Sequence, residues 1–388
     1  MRTEITREML IISAACFFFT SCGIQKAQPL SNTPPPLAAA QNPEALKQAK
    51  ESGDSLRNNP EVAAYLSDPA FTAVTHDYGA TVISTRDFPF RSAVAAAPKK
   101  PWSAWWYPKK EDFIFRDRAD NTLSPLTKYD KVRLQKHQDS GLETPAPESA
   151  VEFERKNFDP HALAWEGLCD AWAFSSIYQQ EPRKPVTFYA DGKEITFTVA
   201  DMKALLLKTY EAVDDTSLKY YGQRFTGDER GWIYPDIFPD QFHRFIEVQL
   251  IENNRPFIMD HDAGPQVWNV PVYKVNYLME NVPGQPDSVF VTTWIYYASS
   301  TRANEKDFIG TKEVVREYQY MLEGKRDAAG NLVVNSGHWM KNSNSGDSRK
   351  DHPDYVIQLP DSSQLTRKSV NPEIDPKLVD EILAKSYE

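Results

Sequence analysis

The chain has 388 residues, a formal net charge of −10, 41% hydrophobic and 25% charged residues. That is enough for one large domain or two to three average ones, with an ordinary globular composition. The acidic balance, without a basic patch interleaved by aromatics, argues against a nucleic-acid partner.

Arg2 and Arg7 precede an apolar run, Met9 to Phe19, followed by Thr20, Ser21 and Cys22. The run is too short to span a bilayer and has the length of a signal-peptide core. FTSC resembles a bacterial lipobox, whose cysteine becomes the lipidated first residue of the mature chain. Phe19 stands where Leu is usual, and Glu4 and Glu8 dilute the positive end. Residues 1–22 are therefore expected to be a lipoprotein signal peptide. Cys22 would be the membrane anchor of a protein held at the cell envelope, a simple secreted protein being the alternative. Cys16 lies in this leader, so Cys169 becomes the sole thiol of an exported chain, a candidate reactive group. The Pro-, Ala- and Gln-rich residues 23 to about 50 cannot build a core and read as a tether. Residues 54–98 show no clear period and read as an N-terminal extension packed against the main domain, which takes up 99–388.

Pro101 to Lys110 reads PWSAWWYPKK. Aromatics so closely spaced, at roughly 150–250 Å² of surface each, are not left exposed cheaply. They form either a strap across the domain or a stacking platform. Ser124 and Pro125 suit the N-cap and first position of a helix. Residues 137–148 are a polar connection. Trp165 to Ile177, WEGLCDAWAFSSI, reads as a buried helix beginning at about Leu168 to Cys169. The thiol then lies on the first turn, where unpaired N–H groups and the helix dipole favour thiolate. A buried structural cysteine is the competing reading. Two β-runs flanking Asp191-Gly192 make a hairpin, because that dipeptide tolerates positive φ. Asp201 is expected to cap the next helix. Residues 214–237 form a loop with Asp214, Asp215, Asp228 and Glu229, and Pro239 opens a helix over 239–253. From Pro256 the pattern is β: Pro256 to Asp260, Val270 to Leu278, Ser288 to Ala298, Glu317 to Leu322, Leu332 to Trp339 and Tyr355 to Leu359. Helices first and an antiparallel sheet afterwards give an α+β class.

A cysteine nucleophile needs a base and the base needs an orienting partner. Several segments supply them in a familiar order. WEGLCDAWA, PDQFHRF, FIMDHDAG, VWNVPVYKV and NSNSGDSRKDHPDYV resemble successive motifs of the transglutaminase elicitor family, the oomycete elicitor transglutaminases and their bacterial relatives. PWSAWWYP and SPLTKYD resemble upstream segments of the bacterial branch, so the likeness spans roughly residues 100–360. It implies a papain-like or transglutaminase-like α+β fold. It also implies acyl transfer from a glutamine carboxamide to a lysine amine through a Cys169 thioester. Matched by position, Cys169 is the nucleophile, His243 the base and Asp260 the residue that orients it. His352, beside Asp351 and Asp354, is the rival base. Val270 stands where the elicitor peptide has Gln, so immune elicitation does not carry over. No cofactor follows from the residues themselves. Calcium, which some family members need, would fall to the acidic loop, whose competing reading is a solvated loop. Trp165, Trp172 and Trp268 are candidate walls that would exclude water. A peptidase or amidase using the same residues, and a non-catalytic binding lipoprotein, are the other functions the sequence allows.

Overall fold

The computed structural model describes residues 90–213, 217–222, 236–261, 263–340 and 352–388, with short pieces at 47, 50–51, 60 and 82–84. The leader with Cys22, the acidic residues Asp214, Asp215, Asp228 and Glu229, Asp262 and Asp351 lie outside them. No described helix is long and apolar enough to cross a membrane.

The elements in order are β1 (Val82–Ser84), β2 (Phe90–Ala96), α1 (Pro125–Asp139), α2 (Ala150–Asn157), α3 (Cys169–Tyr178), β3 (Val186–Ala190), β4 (Lys193–Phe197) and α4 (Val199–Lys208). Then come β5 (Lys219–Tyr221), α5 (Pro239–Ile246), a π turn (Glu247–Glu252), β6 (Phe257–Asp260), β7 (Asn269–Val282), β8 (Gln285–Ala298), β9 (Glu313–Arg326), β10 (Asn331–Trp339), β11 (Val356–Gln358) and α6 (Pro376–Tyr387). This is the expected mixture of helices and antiparallel strands.

Local chemistry accounts for most boundaries. The Ser124 side chain accepts from Thr127 N–H at 3.2 Å, and Pro125 opens α1. Asp191 and Gly192 take φ of 52° and 67° between β3 and β4, the mirror-image turn that matches strand twist. Helix α4 starts earlier than expected: Thr198 is the cap, and Asp201 closes a capping box from the third position. Asp201 also receives buried Lys128 at 2.5 Å.

The main sheet runs β1-β10-β9-β8-β7-β6-β11-β5, and β2 also pairs with β7. One edge of β7 is shared: Asn269 to Val272 pair with β6, and Lys274 to Glu280 pair with β2. The end of the expected extension is thus a strand of the central sheet.

The sheet separates two cores, and strand alternation decides which residue faces which. In β6, Phe257 and Met259 join the core beneath α5, while Ile258 joins the core beneath α3 and α4. In β11, Val356 and Ile357 divide the same way. Asp260, two residues after Ile258, therefore faces the α3 side.

Candidate active site

Cys169 is the first residue of α3, and its N-cap, Leu168, makes no side-chain capping bond. The strap residues hold the turn that precedes it. Leu168 N–H donates to Trp106 O at 2.7 Å, and Lys109 N–H donates to Glu166 O at 2.9 Å. Between these bonds Gly167 lies against the Trp106 ring; an added Cβ would fall 2.3 Å from that ring and 2.9 Å from the Trp106 carbonyl. Trp106 also meets Trp268 edge-on at 5.8 Å. The strap reading of Pro101–Lys110 thus describes these aromatics, with Trp102, Trp106 and Tyr107 all buried. Tyr107 sits at φ 44°, a conformation that costs a side-chain-bearing residue about 1–3 kcal/mol. Its hydroxyl bond to Ala200 O at 2.9 Å helps hold it there.

Cys169 lines a cleft of about 440 Å³, with Lys109, Trp165, Glu166, Asp170, Tyr220, Asn269 and Tyr355 among the other lining residues. Sγ donates to Asp170 Oδ1 at 3.4 Å and lies 4.0 Å from Val267 O. Asn269 organises the surroundings. Its side-chain Nδ2 donates to Asp170 Oδ1 at 2.6 Å, and its main-chain N–H is directed at the sulfur. Asp260, paired with Asn269 across β6 and β7, accepts from Trp268 N–H at 3.1 Å.

Burial pushes the Cys169 thiol well above its ordinary range, Asp170 and Asp260 add to the rise, and the Asn269 N–H opposes it. Withdrawal from water and two carboxylates both disfavour a second negative charge.

Of the expected residues, Cys169 and Asp260 share this site and His243 does not join them. His243 is on α5, in the core across the sheet. Its Nδ1 is 2.7 Å from Tyr320 Oη, Nε2 is 3.5 Å from Glu247, and its ring meets Tyr277 edge-on at 5.1 Å. The expected His243–Asp260 pairing is corrected by parity: β6 directs Asp260 to one face, while α5 covers the other. His352 is elsewhere too. Its Nε2 is 2.6 Å from Asp236 Oδ2 and its ring stacks on Trp339. Trp172 is not a cleft wall; it is buried, with its indole N–H donating to Trp102 O at 2.9 Å. Trp165 does line the cleft. Sequence reasoning passed over Asp170, Asn269 and Tyr355. Asp170 could have been found as the neighbour of Cys169 on the first helical turn. Asn269 stands inside the quoted VWN peptide, whereas Tyr355 gave no separate signal.

The sequence profile described as "Transglutaminase elicitor" matches residues 159–288. No curated protein sequence matches the chain. The fold is similar to the crystal structure of the GP42 transglutaminase from Phytophthora sojae, with a TM-score of 0.53 over 82% of this chain and 98% of that one, at 20% identity. At that identity the likeness is one of fold. Residues 159–288 of this chain, Cys169, Asp260 and Asn269 among them, carry the transglutaminase elicitor pattern.

Proposed function

We propose that the protein is a cysteine-dependent acyltransferase acting on glutamine carboxamides, with Cys169 as nucleophile. The observation that carries this reading is Cys169 in the lining of a cleft, at a helix terminus without a side-chain cap, with its sulfur 3.4 Å from the Asp170 carboxylate.

In this reading Asp170 takes the place expected of His243. The thiol proton passes to Asp170 Oδ1 as Sγ attacks the carboxamide carbon. The C–N bond then breaks, and the leaving nitrogen departs as ammonia with that proton. A primary amine attacks the thioester and returns the sulfur. The first-turn N–H groups of α3 face the negative charge that develops on the carbonyl oxygen. A carboxylate is a weak base for a thiol whose ionisation is already disfavoured, at about 1.4 kcal/mol per unit of mismatch. Slow chemistry with an alkaline optimum is the consequence.

The test is incorporation of a labelled amine into a glutamine-containing protein, with Cys169→Ala as control. Label uptake that vanishes in the variant supports transfer. Ammonia or peptide release without uptake would assign the cleft to an amidase or peptidase. Activity indifferent to Cys169→Ala would leave a binding module. The proposal includes export and anchoring through Cys22, supported by the lipobox-like FTSC. Release of a Cys22→Ala variant from the membrane fraction is its test. A calcium requirement is the remaining part, read as loss of uptake on chelation and recovery on addition of calcium.

A further inference from the structure

Lys109 and Glu166 both line the cleft, and the 2.9 Å bond from Lys109 N–H to Glu166 O sets them on one wall. Lys109 is exposed and Glu166 half-buried. Their side chains carry opposite charges, yet neither has a hydrogen bond or ion pair among the described residues, not even with the other. Exposed neighbours of opposite sign do close elsewhere, Lys100 on Glu313 and Arg255 on Asp361, each at 2.9 Å. The facing wall, from the sheet, is Tyr220, Val267, Asn269, Tyr355 and Ile357, none with a formal charge. Asp170 is the remaining carboxylate of the lining, and its Oδ1 already receives Asn269 Nδ2 and Cys169 Sγ. One cation and one anion, adjacent and unspent, are therefore left for a ligand.

We propose that Lys109 and Glu166 hold the α-carboxylate and α-ammonium of free glutamine, so that the enzyme prefers this small donor to glutamine within a peptide. The two charges of an amino-acid head sit on one carbon. They call for opposite partners on one wall, which these neighbours supply. The carboxamide carbon lies three bonds from that head carbon, roughly 4 Å in an extended side chain. That reach suits a head held at Glu166 and a sulfur three residues further along the same turn. A glutamine inside a peptide carries neither charge and gains nothing from the pair. The inference rests on the acyltransferase reading and names the donor of that site. The chemical step is unchanged: the C–N bond breaks, ammonia leaves, and the γ-glutamyl group passes from Sγ to the amine.

The experiment measures kcat/KM for ammonia release by the full chain at pH 8, with methylamine as acceptor. The donors are L-glutamine, Nα-acetyl-L-glutamine, which lacks the ammonium, and the α-(N-methylamide) of L-glutamine, which lacks the carboxylate. Each blocked donor should fall about fivefold below L-glutamine, the upper range for a partly screened ion pair. Glu166→Gln should remove the penalty of acetylation alone, and Lys109→Met that of amidation alone. Circular dichroism checks the fold of both variants. This crossed pattern is what a merely structural role would not produce. Equal kcat/KM for the three donors, or penalties that both variants leave intact, would overturn the head-group site and leave the acyltransferase reading standing. The crossed pattern with glutamate as the sole product would do the reverse. No ammonia from any donor would sink both.

Discussion

At the scale of single residues, the side chain beside the Cys169 sulfur is the Asp170 carboxylate, while the His243 imidazole lies against Tyr320. Parity of one strand produces this difference. His243→Gln should therefore act on stability rather than chemistry. It disturbs the bond to Tyr320 inside a closed core, at about 1–3 kcal/mol. Thermal unfolding should shift down while amine incorporation per folded molecule persists. A loss of turnover without loss of stability would contradict the placement across the sheet. The thiol gives a second expectation. Its pKa is raised by burial, Asp170 and Asp260, so the thiolate grows as pH increases and is scarce at neutrality. Alkylation should climb about tenfold per pH unit from 7 to 9. Asp170→Asn removes one of the charges that oppose the thiolate. It should raise the rate of alkylation at a given pH while lowering transfer, because the proton acceptor is gone. That opposite movement separates a base from a mere neighbour.

The element scale shows why some features were legible in the sequence. Turn and cap chemistry is local, so Ser124-Pro125 and Asp191-Gly192 could be read directly. The start of α4 was misplaced by three residues because Thr198 and Asp201 both suit a cap, and only their reciprocal bonds decide. Strand β7 runs to Val282, beyond the expected Leu278, because polar Glu280 and Asn281 hide its continuation. Helix α6 went unseen, although Asp375 and Pro376 mark its start. His243 failed for a different reason. A helical histidine after Pro239 looks the same in sequence whether its helix covers one face of a sheet or the other. Parity along β6 was readable, but the face taken by α5 is a tertiary fact. At this scale Gly167→Ala is the sharpest test of the strap. The new methyl meets a ring and a carbonyl that are both packed. The Leu168–Trp106 bond should yield, moving the first turn of α3. The expected outcome is a fall in kcat of at least about tenfold, since even small misplacement of reacting groups is costly. Substrate KM should change less.

For the whole molecule, strands β1 and β2 lie ahead of residue 99 and pair with β10 and β7 of the main sheet. Truncating the chain there deletes β1 and β2 and bares the second half of the β7 edge. Unpaired edges of buried strands invite association. A protein beginning at residue 99 should be aggregation-prone, with a lower unfolding temperature than one beginning at residue 47; size-exclusion chromatography and thermal melts would check this. The extension hid its strand because FRSAVAA carries little apolar alternation and takes its order from β7.

The divided edge of β7 has a mechanical side. A pull on the chain upstream of Val82 meets the sheet first at β1, on β10, and then at β2, which lies beside β7 for seven residues and loads those bonds in shear. Asn269 begins β7 at the end away from Glu280, where that force arrives. The cleft is thus isolated from drag on the amino-terminal arm until β2 is torn free.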